Sequence, residues 1–240
     1  MTSHRTRLLH KEDAADSTMN FHFEKPESMK YTAGQYLHWS IVDPPETDDE
    51  GTMRAFTLAS APFEDTIMAS TRMRDTAYKR DLAVMKVGDE VELDEPQGDL
   101  TLHEDTGRPA VFVIGGIGIT PVRSMVMQSL HEESGHRLFV FYSNKRVEDA
   151  PFMAELRAAA EQSENFTFVP TMTATDGAGD VWSGETGHID RDMLTRYLSD
   201  LDEAIYYLSG PASMIEAMGQ MLRDAGVGEG DIRSEEFPGY

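Results

Sequence analysis

The chain has 240 residues, 40% of them hydrophobic and none of them cysteine, with 43 acidic side chains against 21 basic and a formal net charge of −22. That length holds two domains with real cores. The missing cysteines exclude disulfides, thiolate zinc sites and cysteine-ligated iron–sulfur clusters, so any redox chemistry must sit on a bound organic cofactor. A surface this acidic repels nucleic acid and anionic membranes.

No apolar run approaches the ~20 residues of a membrane helix. The start, MTSHRTRLLHKED, is charged and has no apolar signal core. A cytoplasmic protein with no membrane span and no nucleic-acid partner is therefore expected. The acids run through the whole chain rather than forming one block, and arginine outnumbers lysine. That distribution suits solvation of an entire surface in a salt-rich cytoplasm, a halophilic adaptation, better than docking of a basic partner. The eight histidines show no metal-ligand spacing, so no metal is expected.

Residues 1–103 read as an antiparallel β-barrel. Short β-rich runs (Thr6–His10, Met19–Phe23, Gln35–Val42, Arg54–Leu58, Thr66–Arg72, Glu90–Leu93) are separated by turn clusters such as Lys25-Pro26-Glu27-Ser28 and Asp94-Glu95-Pro96-Gln97-Gly98. One short helix fits Lys79–Lys86. A polar linker follows, His103 to Pro109. From residue 108 to 240 continuous apolar strands (Ala110–Ile114, Leu138–Tyr142, Phe166–Val169, Ala204–Leu208) alternate with amphipathic helices (Pro121–His131, Pro151–Gln162, Arg191–Leu198, Pro211–Ala225). This β-α alternation predicts a Rossmann-like parallel sheet covered on both faces. Methionines 125, 127, 214, 218 and 221 are expected to pack cores. The glycine-rich loop Thr173–Gly187 is either functional or a solvent-exposed insertion.

Two stretches carry chemistry. In the second domain Val111–Ile114 runs into Gly115-Gly116-Ile117-Gly118-Ile119-Thr120-Pro121. Glycines let backbone amides approach a pyrophosphate at a helix N-terminus. Thr120 is expected to cap that helix, with Pro121 in its first turn. A tight βα turn needing glycine only for its φ is the alternative. In the first domain Arg54, Phe56 and Thr57 bring a cation for phosphate, a ring for a flat heterocycle and a hydroxyl for a ring nitrogen. Strand alternation places Arg54 and Phe56 on one face and Thr57 on the other, so Thr57 needs a strand end or a bulge to join them. An ordinary amphipathic strand is the alternative. Arg72, Arg74, Lys79 and Arg80 follow, with Thr76 among them. From Arg54 to Arg80 five basic residues face three acids, a positive island suited to cofactor phosphates. After the second parallel strand, Ser143, Lys145 and Arg146 offer a hydroxyl and two cations to a 2′-phosphate, leaning to NADPH over NADH, with exposed basic residues in a loop as the alternative.

Taken in order, these segments resemble the ferredoxin–NADP reductase superfamily across the whole chain. RAFTLAS resembles its flavin motif, RDTAYKRDL the segment over the FAD pyrophosphate, and VGDEVELDEPQGDL its barrel turn. GGIGITP resembles its nicotinamide-nucleotide turn, YSNKRVEDAPFMAEL its second nucleotide loop, LSGPASM its CGP segment and SEEFPGY its C-terminal ExF segment. The resemblance implies FAD and NAD(P)H as cofactors. Arg54 would bind the FAD pyrophosphate, Phe56 would pack on the isoalloxazine and Thr57 would bond near flavin N5. Ser60 and Arg72 would lie in the same site, with Thr76 and Lys79 on the phosphates. Gly115, Gly116, Gly118, Thr120 and Pro121 would cradle the nucleotide. Ser209, Gly210 and Pro211 would border the nicotinamide, and Tyr240 would cover the flavin, unless it is a frayed end. Thr57, Ser209 and Tyr240 are thus the expected catalytic residues.

The chain departs from the family in having Phe56 for tyrosine, Ser209 for cysteine, and no iron–sulfur appendage. The last departure argues against the multidomain oxygenase reductases and the electron-transfer subunit of dihydroorotate dehydrogenase. The activity implied is hydride transfer from NAD(P)H to flavin N5, then electron transfer to a ferredoxin- or flavodoxin-type protein or a small-molecule acceptor. A non-catalytic flavoprotein relay component of a larger complex is the rival reading.

Overall fold

The computed structural model describes residues 4–174 and 182–237. Tyr240 and residues 175–181 of the Thr173–Gly187 loop lie outside the described residues.

The first half is an antiparallel sheet of six strands: β1 (His4–Ala15), β2 (Thr18–Glu24), β3 (Tyr36–Ile41), β4 (Met53–Thr57), β5 (Thr66–Arg72) and β6 (Glu90–Leu93), in the order β4-β3-β6-β1-β2-β5. Alternation puts Phe21, Phe23, Leu37, Trp39, Ile67, Val91 and Leu93 inside, each nearly or fully buried. The sheet rolls until its edges meet, where Ala59 N just past β4 donates to Met68 O of β5 at 2.8 Å. β1 runs five residues beyond the expected His10 because HKEDAA pairs with β2 while its side chains stay at the surface. Hydrophobic alternation cannot reveal such a segment. α1 (Ala77–Val84) crosses one end, capped by Thr76, whose hydroxyl accepts from Lys79 N.

The second half is a parallel sheet of β7 (Ala110–Gly115), β8 (Leu138–Asn144), β9 (Phe166–Met172), β10 (Glu185–Thr186), β11 (Ile205–Gly210) and β12 (Ile232–Glu236), ordered β10-β9-β8-β7-β11-β12. α2 (Ile119–His131) and α3 (Met153–Gln162) cover one face, where Phe112, Ile114 and Tyr142 meet Ile119, Val122 and Leu156. α4 (Arg191–Tyr197) and α5 (Ala212–Asp224) cover the other, where Val111 and Val113 meet Met193, Leu194 and Leu222. The strand order reverses between β7 and β11, the place where open α/β sheets bind ligands. β12 has a mixed polar sequence, IRSEE, and its pairing with β11 is not visible in hydrophobic periodicity. Among the described residues no helix is long and apolar enough to cross a membrane.

Candidate active site between barrel and parallel sheet

β4 is an edge strand, and that decides the site. Its register with β3 pairs Thr57 with Tyr36, Phe56 with Leu37 and Arg54 with Trp39, so Thr57 faces away from Arg54 and Phe56. A cavity of about 800 Å³ wraps around this free edge and takes side chains from both faces: Arg54 and Phe56 from one, Tyr36, His38 and Thr57 from the other. No bulge is required. Arg72, Arg74, Thr76 and Lys79 close one end, and Ile117, Glu235 and Phe237 of the second domain close the other.

Positive charge gathers at one end of the cavity. The Lys79 side chain lies over the Phe56 ring, 4.4 Å from its centroid, and touches the Thr71 hydroxyl. Burial, then repulsion from Arg54 and Arg74, pushes its ammonium down to about 7. A phosphate group would supply the missing counter-charge. Arg54 stands 5.2 Å from the Tyr78 ring centroid and pairs with Asp48 and Glu50, each at 3.0 Å. The Arg54 guanidinium is thus already held by carboxylates, and any anion entering here would compete with them. Arg80 points elsewhere, to Glu46 and Asp75.

At the opposite end β12 brings Glu235 level with Ser209 on β11. Glu235 Oε2 is buried with no partner among the described residues, and burial pushes its carboxyl up to about 7. The Ser209 hydroxyl, fully buried, is likewise unpartnered. Ser209 does not itself line the cavity. Glu235 was not singled out by residue reasoning, although the SEEFPGY comparison pointed at its segment.

A second cavity of about 780 Å³ opens over the switch point, lined by Gly115, Gly116, Ser143, Lys145, Arg146, Pro211, Met214 and Met218. Arg72 lines both cavities, so they adjoin. Met214 and Met218 face this space, which corrects their assignment to pure core packing. Gly116 has φ +52°, a left-handed turn that glycine adopts without strain.

Several expectations are corrected. A 3-10 turn over Gly116–Gly118 starts α2 early, so Thr120 lies inside the helix, fully buried, its hydroxyl donating to Ile117 O at 3.1 Å rather than capping. Thr120 and Pro121 line neither cavity. Gly118 is required by packing instead, because a Cβ there would stand 2.5 Å from Ser209 O. Ser60 is turned inward, its hydroxyl accepting from Met68 N at 3.0 Å and bonding the Tyr31 hydroxyl at 3.1 Å. Gly210 packs on the Gly115 backbone outside both cavities. Arg146 is drawn to Asp16, Glu148 and Asp149, at 3.1, 3.2 and 2.8 Å.

Residues 112–220 match the family described as the oxidoreductase NAD-binding domain. The ferredoxin NADP+ reductase from Neisseria gonorrhoeae, solved with bound FAD and NADP, has a TM-score of 0.82 to this chain at 22% identity, covering 98% of this chain and 99% of that one. The chain carries an oxidoreductase NAD-binding domain over those residues and shares the fold of a ferredoxin–NADP reductase along its length. A component of the Na(+)-translocating NADH-quinone reductase from Shewanella denitrificans is 30% identical over 86% of this chain and 54% of that protein. The flavohemoprotein of Bacillus subtilis is 28% identical over 96% of this chain and 58% of its own length. The chain thus spans little more than half the length of these relatives. The antiparallel sheet followed by a parallel sheet described above is the frame this chain shares with the Neisseria gonorrhoeae reductase.

Proposed function

We propose that this chain is an FAD-dependent NAD(P)H oxidoreductase that holds FAD in the barrel-edge cavity and the nicotinamide nucleotide in the cavity over the switch point. One observation carries the reading: two adjoining cavities meet at Arg72, one with a largely buried ammonium that has no counter-charge among the described residues, the other opening on a glycine turn between β7 and α2. The residues fit FAD. Lys79, Thr76 and Arg54 would hold its phosphates, Phe56 would pack on the flat ring, and Thr57 would bond a ring nitrogen from the other side of β4. Flavin supplies the acceptance of a hydride and the onward release of electrons.

The chain's own residues do the rest. Gly115 and Gly116 admit a nucleotide phosphate to the backbone, and Met214 and Pro211 form an apolar wall beside it. Glu235 holds or releases a proton at Oε2 near neutral pH, facing the cavity where the two cofactors would meet. Lys145 and Ser143 favour NADPH, although Arg146 is committed to carboxylates. The onward acceptor is a ferredoxin- or flavodoxin-type protein or a small molecule.

The test is direct. Purified protein should be yellow, and anaerobic NADPH or NADH should bleach it. A colourless protein that takes up no FAD would sink the proposal, and a yellow one that neither nucleotide bleaches would favour a relay component of a larger complex.

A further inference from the structure

The guanidinium of Arg123, one turn into α2, is almost wholly buried, with 7% of its side chain exposed. All five of its N–H donors are used. Nε and Nη2 donate to Glu155 Oε2 and Oε1 at 2.8 and 2.6 Å, within the second domain. Nη1 and Nη2 donate to Glu64 Oε2 and Oε1 at 2.7 and 3.0 Å, and Nη1 to Ala59 O at 2.9 Å, across to the barrel. Planar, bidentate pairing on two sides fixes orientation as well as distance. The same barrel segment follows the helix onward. Ser124 Oγ donates to Ser60 O at 2.7 Å, Gln128 Oε1 accepts from Phe63 N at 3.0 Å, and the Phe63 and His131 rings stack at 3.9 Å.

What this joint connects matters more than its strength. Ala59 stands two residues beyond Thr57, which lines the barrel-edge cavity. α2 begins directly after the glycine turn, where Ile117 lines that same cavity and Gly116 lines the second one. Each side of the Arg123 joint is therefore a few residues from a cavity wall. We infer that Arg123 is a positioning residue: by clamping the end of β4 to the first turns of α2, it sets the distance and angle between the two cofactor cavities. Its kinetic consequence rests on the proposed function, because two stacked rings react fast only when held within about 1 Å of the productive geometry.

The absence of cysteine makes the clamp measurable by itself. Exposed Glu27 in the barrel and Glu216 on α5 can be replaced together, Glu27→Cys and Glu216→Cys, and spin-labelled without competing sites. Pulsed electron resonance on the protein as purified should give one narrow interdomain distance. Arg123→Met should broaden or shift that distribution. It should also weaken the long-wavelength charge-transfer absorbance of stacked nicotinamide and flavin, and lower kcat by about 10- to 100-fold while KM for the nucleotide stays within roughly twofold. Arg123→Lys, which keeps the charge and loses the fork, should recover only part of each effect. If Arg123→Met does not fold, Glu64→Ala removes the barrel's carboxylate, and with it two of the three bonds Arg123 makes to the barrel, from a partly exposed loop, and should broaden the distances in the same direction. A distribution left narrow and unmoved in Arg123→Met, or in Glu64→Ala where the first cannot be made, overturns the inference. A wild-type protein without flavin would instead overturn the proposed function, leaving the distance measurement to judge the clamp.

Discussion

The Lys79 ammonium sits 4.4 Å from the centroid of the Phe56 ring, in a cavity wall it shares with Arg54 and Arg74. Its proton is held loosely, at about 7 against an ordinary 10.5, because burial and two neighbouring cations disfavour the charge. Between pH 7 and 10 the unfolded chain binds a proton that the flavin-free folded chain lacks, so this group makes flavin-free protein more stable as pH rises through that window. A phosphate beside Lys79 would raise its pKa, so FAD binding takes up a proton there. FAD affinity should then fall above pH 7, by at most about tenfold per pH unit. Fluorescence titration of FAD against pH checks this. Lys79→Arg, always charged, should flatten the dependence, and Lys79→Met should weaken FAD by roughly 10- to 100-fold at neutral pH. A pH-independent affinity in the unaltered chain would remove Lys79 from the phosphate site.

Arg54 is tied to Asp48 and Glu50. Arg54→Ala should strip FAD on purification. Asp48→Asn should do the opposite, releasing the guanidinium for the pyrophosphate and tightening FAD by a few-fold, of the order expected of a partly exposed pair, about 0.2–1 kcal/mol. Isothermal titration of both variants decides it; a fully yellow Arg54→Ala protein would count against the role.

Glu235 is held protonated up to about pH 7 by burial. Its folded pKa is raised, so its contribution to stability is full below the ordinary carboxylate range and is lost as pH rises toward 7. Glu235→Gln should therefore stabilise the protein above pH 7. In single-turnover reduction by NADPH it should also erase any limb centred near pH 7 and slow the step by about 100-fold. An unchanged rate and pH profile would leave Glu235 a bystander.

Lys145, exposed at the rim of the second cavity, is the test of coenzyme choice. Lys145→Ala should lower kcat/KM for NADPH relative to NADH by about tenfold, the worth of one charge-assisted contact. Arg146→Ala should change that ratio less, since Arg146 is held by three carboxylates. A ratio indifferent to Lys145 would point to NADH as the natural donor.

A net charge of −22 should make stability depend on salt. Thermal unfolding should shift upward between about 0.01 and 1 M KCl, as the Debye length shrinks from ~30 to ~3 Å and self-repulsion is screened. Equal midpoints at both concentrations would dispose of salt adaptation.

Local chemistry was legible along the chain. Period-two runs such as Tyr36–Ile41 and the fully apolar Ala110–Ile114 announced their strands, and the glycine turn and cationic island marked segments that line cavities, because backbone preference and charge are written residue by residue. Other features depend on partners distant in sequence. Thr57 joins Arg54 because β4 is an edge strand. Glu235 acquires its perturbed carboxyl because IRSEE pairs with β11. Arg123 is an interdomain clamp only because Glu64 and Ala59 fold against it. Register, edges and burial are properties of pairings between remote segments, and only the tertiary structure chooses those pairings.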